Sequence, residues 1–155
     1  LTVTSPAFEA KAPIPRKHAY RGEGENVSPP LAWTGAPAGV KAYAIIADDP
    51  DAPSPRKPRA KPWVHWVLYD LPATVTSLAE GQTGGGTVGT TDFGERAYGG
   101  PMPPPGSGVH RYFFKVYGLD AGLKLAPGAT KDALEAAMKG HVLAEGSVHG
   151  TYERR

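Results

Sequence analysis

The sequence has no cysteine. That excludes disulfides, cysteine-ligated zinc and a thiol nucleophile together. Long hydrophobic runs are also missing, and none approaches the ~20 apolar residues that a membrane-spanning helix needs. No sign of charge dominates. Lys and Arg number 17 and Asp and Glu 15, which leaves +2 with neutral histidines. That balance is too weak to argue for nucleic acid or an anionic membrane as partner. The opening residues, LTVTSPAFEA, lack a basic n-region and an apolar h-region. The expected location is therefore the cytoplasm, and a start at Leu1 leaves a periplasmic or secreted form open.

Turn-forming residues are abundant. Twenty glycines and 17 prolines make up nearly a quarter of the 155 residues. Both residue types break helix interiors, so a helix bundle is excluded and short strands joined by structured turns are expected. With 40% hydrophobic and 21% charged residues, the composition is that of a globular chain. Its length suits one domain over residues 1–155.

Five apolar stretches of strand length stand out: residues 3–8, 42–47, 63–71, 110–119 and 142–152. One segment, 130–140, reads as a helix. Thr130 is placed to cap it, Asp132 lies in its first turn, Leu134, Ala137 and Met138 share a face, and Gly140 ends it. Residues 54–62, SPRKPRAKP, form a basic, exposed loop, and residues 81–108 form a long Gly/Pro-rich one. The expected fold is all-β, a sandwich of two antiparallel sheets with one or two short helices.

Strand periodicity groups His110, Tyr112 and Phe114 on one face, and His65, Val67 and Tyr69 on another. Both histidines lie near strand starts, and Asp49 and Asp51 lie just after a strand end. Antiparallel neighbours would bring the acidic turn and both histidines to one rim. Each residue also has a plainer reading. A strand histidine is commonly packed and hydrogen-bonded, and DPDAP suits a turn in its own right. Trp63 and Trp66 serve equally as core or rim. His18, His141 and His149 have no evident partner in sequence. The tract AYGGPMPPPGSG at residues 97–108 is a stiff loop whose backbone N–H groups suit anion capture. It is no P-loop, and no serine lies in a GxSxG elbow.

Three ordered motifs carry a resemblance. They are DPDAP at 49–53, Trp-x-His within WVHWVLYDLP at 63–72, and GGPMPPPGSGVHRYFF at 99–114. Together they resemble the phosphatidylethanolamine-binding protein family, also called Raf kinase inhibitor-like proteins. NVSPPLAW at 26–33 and GTYER at 150–154 resemble its bacterial branch. The resemblance implies a Greek-key β-sandwich with a small anion pocket at one end. Carried onto this chain, that pocket takes Asp49, with Asp51 close by, Trp63, His65, backbone around Gly100 and Pro101, His110 and Tyr112. The chain departs from the eukaryotic pattern at Val64, where many members carry a second histidine, and in the composition of its 54–62 loop. The short tail after the helix implies that the extra C-terminal helix of animal members is absent and the pocket more open.

These residues lead to an expected binding protein for phosphate or phosphoethanolamine head groups, without catalysis or a permanent cofactor. A protonated histidine between Asp49 and the phosphate would relieve their repulsion. Trp63 would face an ammonium, and Asp49 or Asp51 would pair with it. A kinase partner follows from the resemblance alone, and a homodimer is the bacterial branch's common state. The alternative is a metal-dependent hydrolase using Asp49, His65 and His110 as a two-His-one-carboxylate set.

Overall fold

The computed structural model describes residues 1–82 and 84–155, so Thr83, within the 81–108 loop, lies outside the described residues. Among the described residues, eight strands form two antiparallel sheets. The smaller sheet joins β1 (Thr2–Thr4), β2 (Leu31–Thr34) and β5 (Ser77–Leu78), with β2 in the middle. The larger sheet has the order β6-β4-β3-β7-β8. Its members are β3 (Ala42–Asp49), β4 (Trp63–Pro72), β6 (Thr87–Val88), β7 (His110–Leu119) and β8 (Val142–Tyr152).

Burial follows from strand alternation. β3 runs through the centre of the larger sheet, and all eight of its residues are buried. Tyr43, Ile45 and Ala47 face the smaller sheet and pack with Trp33, Leu31, Phe114 and Val148. Ala44 and Ile46 face the other way, beneath Leu134 and Met138 of α1 (Lys131–Met138). A strand buried on both faces reads as a continuous apolar run, which AYAIIA is. The helix is built as its sequence implies. The Thr130 hydroxyl accepts from the Ala133 amide at 3.2 Å, and Gly140 sits at φ +83° just past the end.

Several expectations needed correction. The first strand ends at Thr4, because Ser5 turns the chain: its hydroxyl accepts from the Ala7 amide at 3.1 Å and donates to the Pro30 carbonyl at 2.6 Å. The long loop contains a two-residue strand, β6. The grouping of His65 with Val67 and Tyr69 also fails. Ala47 pairs with Trp66 and Asp48 with Val64, so His65 is an extra residue on β4. A bulge of this kind breaks the two-residue period. Val67 and Tyr69 pack under the helix, while His65 lies against Tyr112 on the other side.

Antiparallel pairing brings the candidate residues to one rim. β3 pairs with both β4 and β7. Asp49, at the end of β3, stands opposite Trp63 at the start of β4, and β7 opens with His110 beside them.

Candidate functional site

At this rim lies a cavity of about 210 Å³. Asp49, Trp63, His65, His110 and Tyr112 line it, together with Phe93 and an apolar wall from Ala52–Pro53 and Met102–Pro104. Both histidines, Asp49 and Tyr112 are buried, so each polar atom must find a partner or face the cavity.

His65 is fixed by the Gly-Pro loop. Its Nδ1–H donates to the Gly99 carbonyl at 2.7 Å, and the Gly99 amide donates back to the His65 carbonyl at 2.8 Å. A carbonyl only accepts, so the proton sits on Nδ1 and the open ring atom is Nε2 with its lone pair. Burial pulls the His65 pKa below its ordinary value, against the bond to Gly99 and the charge of Asp49. Neutral His65 therefore offers the cavity an acceptor.

His110 is engaged at both ring nitrogens. Nδ1 lies 2.7 Å from Asp49 Oδ2, and Nε2 lies 2.9 Å from Ser107 Oγ. The other Asp49 oxygen, Oδ1, accepts from the Asp51 amide at 2.7 Å. Burial, followed by the charge of Asp49 and hydrogen bonding to it, raises the Tyr112 pKa far above its ordinary value. Its hydroxyl is thus a permanent donor. The rings of His65 and Tyr112 meet edge-on at 5.1 Å, and Phe93 abuts both Trp63 and His65.

Three of the expected residues lie outside the cavity lining. Asp51 instead accepts from the Arg111 amide at 2.9 Å, from Nε at 2.9 Å and from Nη2 at 3.0 Å. Burial raises its pKa, but those bonds and the Arg111 charge outweigh burial and hold it below the usual carboxylate range. It anchors the acidic turn to β7. The Gly100 amide is spent on Asn26 Oδ1 at 2.8 Å, and the Pro101 carbonyl accepts from Tyr20 at 3.0 Å. Gly100 is glycine for close approach, since a Cβ there would stand 1.9 Å from the His18 carbonyl oxygen. At Gly99 a Cβ would meet the Phe93 ring at 2.5 Å.

Sequence reasoning missed Phe93, which sits in TTDFGE with no signal of its own, and Ser107, which lies inside the flagged tract three residues before His110. Among the described residues, no group of three or more His, Cys, Asp or Glu side chains is placed to hold a metal ion. Asp49 and His110 are bonded to each other and to Asp51 and Ser107, while His65 turns its Nε2 away from its bond to Gly99.

Two antiparallel sheets with a small, partly polar cavity at one rim have the form of a ligand site. The family model for phosphatidylethanolamine-binding proteins matches residues 4–153, and the chain belongs to that family. A UPF0098 protein from Methanothermobacter thermautotrophicus is 47% identical over 96% of this chain and 95% of its own length. CT736 from Chlamydia trachomatis, whose crystal structure describes it as a homologue of these proteins, superposes with a TM-score of 0.89 at 38% identity, covering 99% of this chain and 97% of that one. YbcL from E. coli, described as a member of the mammalian family, gives a TM-score of 0.89 at 30% identity, covering 99% and 98%. The chain therefore sits with the bacterial and archaeal members. Among the described residues, no helix is long and apolar enough to cross a membrane.

Proposed function

We propose that the cavity binds a small phosphate-bearing ligand, such as a phosphate monoester or a phosphoethanolamine head group. One observation carries this reading: the open Nε2 of neutral His65 and the Tyr112 hydroxyl face one small cavity. A phosphate monoanion carries both a P–OH and P–O⁻ groups. The P–OH donates to Nε2, and an unprotonated oxygen accepts from Tyr112. Charge-assisted bonds of this kind are about twice as strong as neutral ones. Proton transfer from P–OH to Nε2 gives an equivalent pair, with the anion beside an imidazolium. The apolar wall of Pro53, Trp63, Phe93 and Met102–Pro104 excludes water and sheathes the organic part of the ligand.

Asp49 keeps its charge but turns its oxygens onto His110 and the Asp51 amide, so the proton shared with His65 is what offsets its repulsion of the ligand. The two histidines thus divide the work. His110 holds Asp49, and His65 meets the ligand. Trp63 also suits an ammonium, with a cation–π contact of ~0.5–2 kcal/mol.

Calorimetric titration with inorganic phosphate, phosphoethanolamine and ethanolamine tests this directly. Both phosphate ligands should bind saturably and ethanolamine should not. His65→Ala should abolish binding, and Tyr112→Phe should weaken it ~10–100-fold, the value of one charge-assisted hydrogen bond. Binding that persists in His65→Ala would remove the reading.

A further inference from the structure

The loop of residues 101–108 adds Ser107 to the His110–Asp49 pair, a contact that anion binding does not use. Ser107 Oγ lies 2.9 Å from His110 Nε2, and His110 Nδ1 lies 2.7 Å from Asp49 Oδ2. His110 is fully buried and Asp49 nearly so, while Ser107 is half-exposed and lies outside the cavity lining. The chain order is Asp49, Ser107 and His110, the last two only three residues apart and Asp49 from a distant segment. A hydroxyl, an imidazole and a buried carboxylate linked in series are recognised by these distances and roles, whatever their order in the chain. We propose that Ser107 is a nucleophile, activated by His110 and oriented through Asp49, that acts on small or extended carboxylic esters.

The roles follow from the bonds. Asp49 accepts the Nδ1–H and so leaves Nε2 as the basic nitrogen. Ser107 Oγ also lies 2.7 Å from the Pro104 carbonyl, and a hydroxyl has a single proton to give. With that proton on Pro104 the serine rests. With it turned toward Nε2, the oxygen is nucleophilic. Gly108 and Val109, the next two residues, have amide hydrogens without an acceptor among the described residues. In this proposal they serve as the oxyanion donors, the role that the residue after the nucleophile takes in α/β-hydrolases. Val109 is exposed and gives a short acyl group an apolar seat. Ser107 lies outside the cavity lining, and the substrates proposed for it are accordingly small or extended esters.

The reaction balances without a cofactor. Ser107 Oγ bonds to the ester carbonyl carbon as its proton passes to His110 Nε2. The carbon–oxygen bond to the alcohol breaks, and the departing alkoxide takes that proton. Water then adds to the acyl-serine, gives a proton to Nε2, and displaces Oγ, which recovers it.

A fluorophosphonate probe reads this chemistry directly. The Oγ–P bond forms, the P–F bond breaks, and fluoride leaves. The full-length chain is incubated with the probe, its mass measured intact, and the adduct mapped by peptide sequencing. Ser107 should be labelled at least tenfold faster than Ser77, which is also exposed and serves as an internal control needing no variant. Ser107→Ala should lose the adduct, and His110→Gln should slow it at least tenfold while p-nitrophenyl acetate turnover falls in step. Labelling of Ser107 no faster than Ser77, or unchanged in His110→Gln, would overturn the proposal. Phosphate titration of the same wild-type sample keeps the two readings apart. Phosphate binding without labelling overturns only the nucleophile, and labelling without phosphate binding overturns only the anion site.

Discussion

Replacing Asp51 separates anchoring from ligand contact, and its cost follows from the bonds it makes. Asp51 accepts three hydrogen bonds from Arg111, one from the backbone and two from the guanidinium. The guanidinium is half-exposed, so its ion pair has near-surface value, ~0–1 kcal/mol. The backbone bond to a buried carboxylate contributes ~1–2 kcal/mol, and its loss leaves the Arg111 amide short of a partner. Asp51→Ala should therefore cost ~2 kcal/mol, and Asp51→Asn ~1 kcal/mol, since Asn keeps an acceptor for the amide. For a chain of this size, each kcal/mol lowers Tm by ~2–4 °C. Urea unfolding read by tryptophan fluorescence measures both variants. The pH dependence has a definite sign. The folded-state pKa of Asp51 is depressed, so its contribution is present above the unfolded value of ~3.9 and fades as pH falls through the folded one. The gap between wild type and Asp51→Asn should close below about pH 4. A change within ~0.5 kcal/mol for the alanine variant, with phosphate affinity lost, would place Asp51 in the binding site and refute the anchoring role.

Other perturbations test the fold and the site's supports. Gly100→Ala puts a Cβ 1.9 Å from the His18 carbonyl oxygen, so it should cost ~3 kcal/mol or prevent folding, seen as a lowered Tm or insoluble expression. Leu134→Ala empties a fully buried position of α1 against the larger sheet and should cost ~2–5 kcal/mol in urea unfolding. The depressed pKa of His65 adds stability above its unfolded value of ~6.5 that is lost as pH falls below it. The wild type should therefore lose more stability between pH 7 and 5 than His65→Gln does.

The large features of the fold were legible because they are local. AYAIIA declared a strand, and the helix declared its cap, its apolar face and its terminal glycine. The strands β2, β5 and β6 leave no mark in the sequence, since two to four residues carry too little period to register. His65 shows a sharper limit. Alternation placed it with Val67, but one inserted residue in β4 turned it to the opposite face. Nothing local in WVHWVL marks that bulge, because it arises from pairing with β3. The same limit applies to Asp51. Its nearness to the site was visible, but its partner Arg111 lies 60 positions away. Phe93 enters the cavity wall from a loop with no periodicity at all.

The proton linkage of phosphate binding tests the central claim most directly. Nε2 of His65 meets the ligand only with a proton between them, carried in by the phosphate or placed on the ring. The phosphate monoester loses that proton with a pKa near ~6, and burial makes His65 reluctant to supply it. Calorimetry with inorganic phosphate across pH 5 to 9, in buffers of differing ionisation enthalpy, counts the protons taken up. The expected result is an affinity that weakens as pH rises, by up to tenfold per unit or ~1.4 kcal/mol, with no binding in His65→Ala. An affinity flat across that range, or retained in His65→Ala, would contradict it.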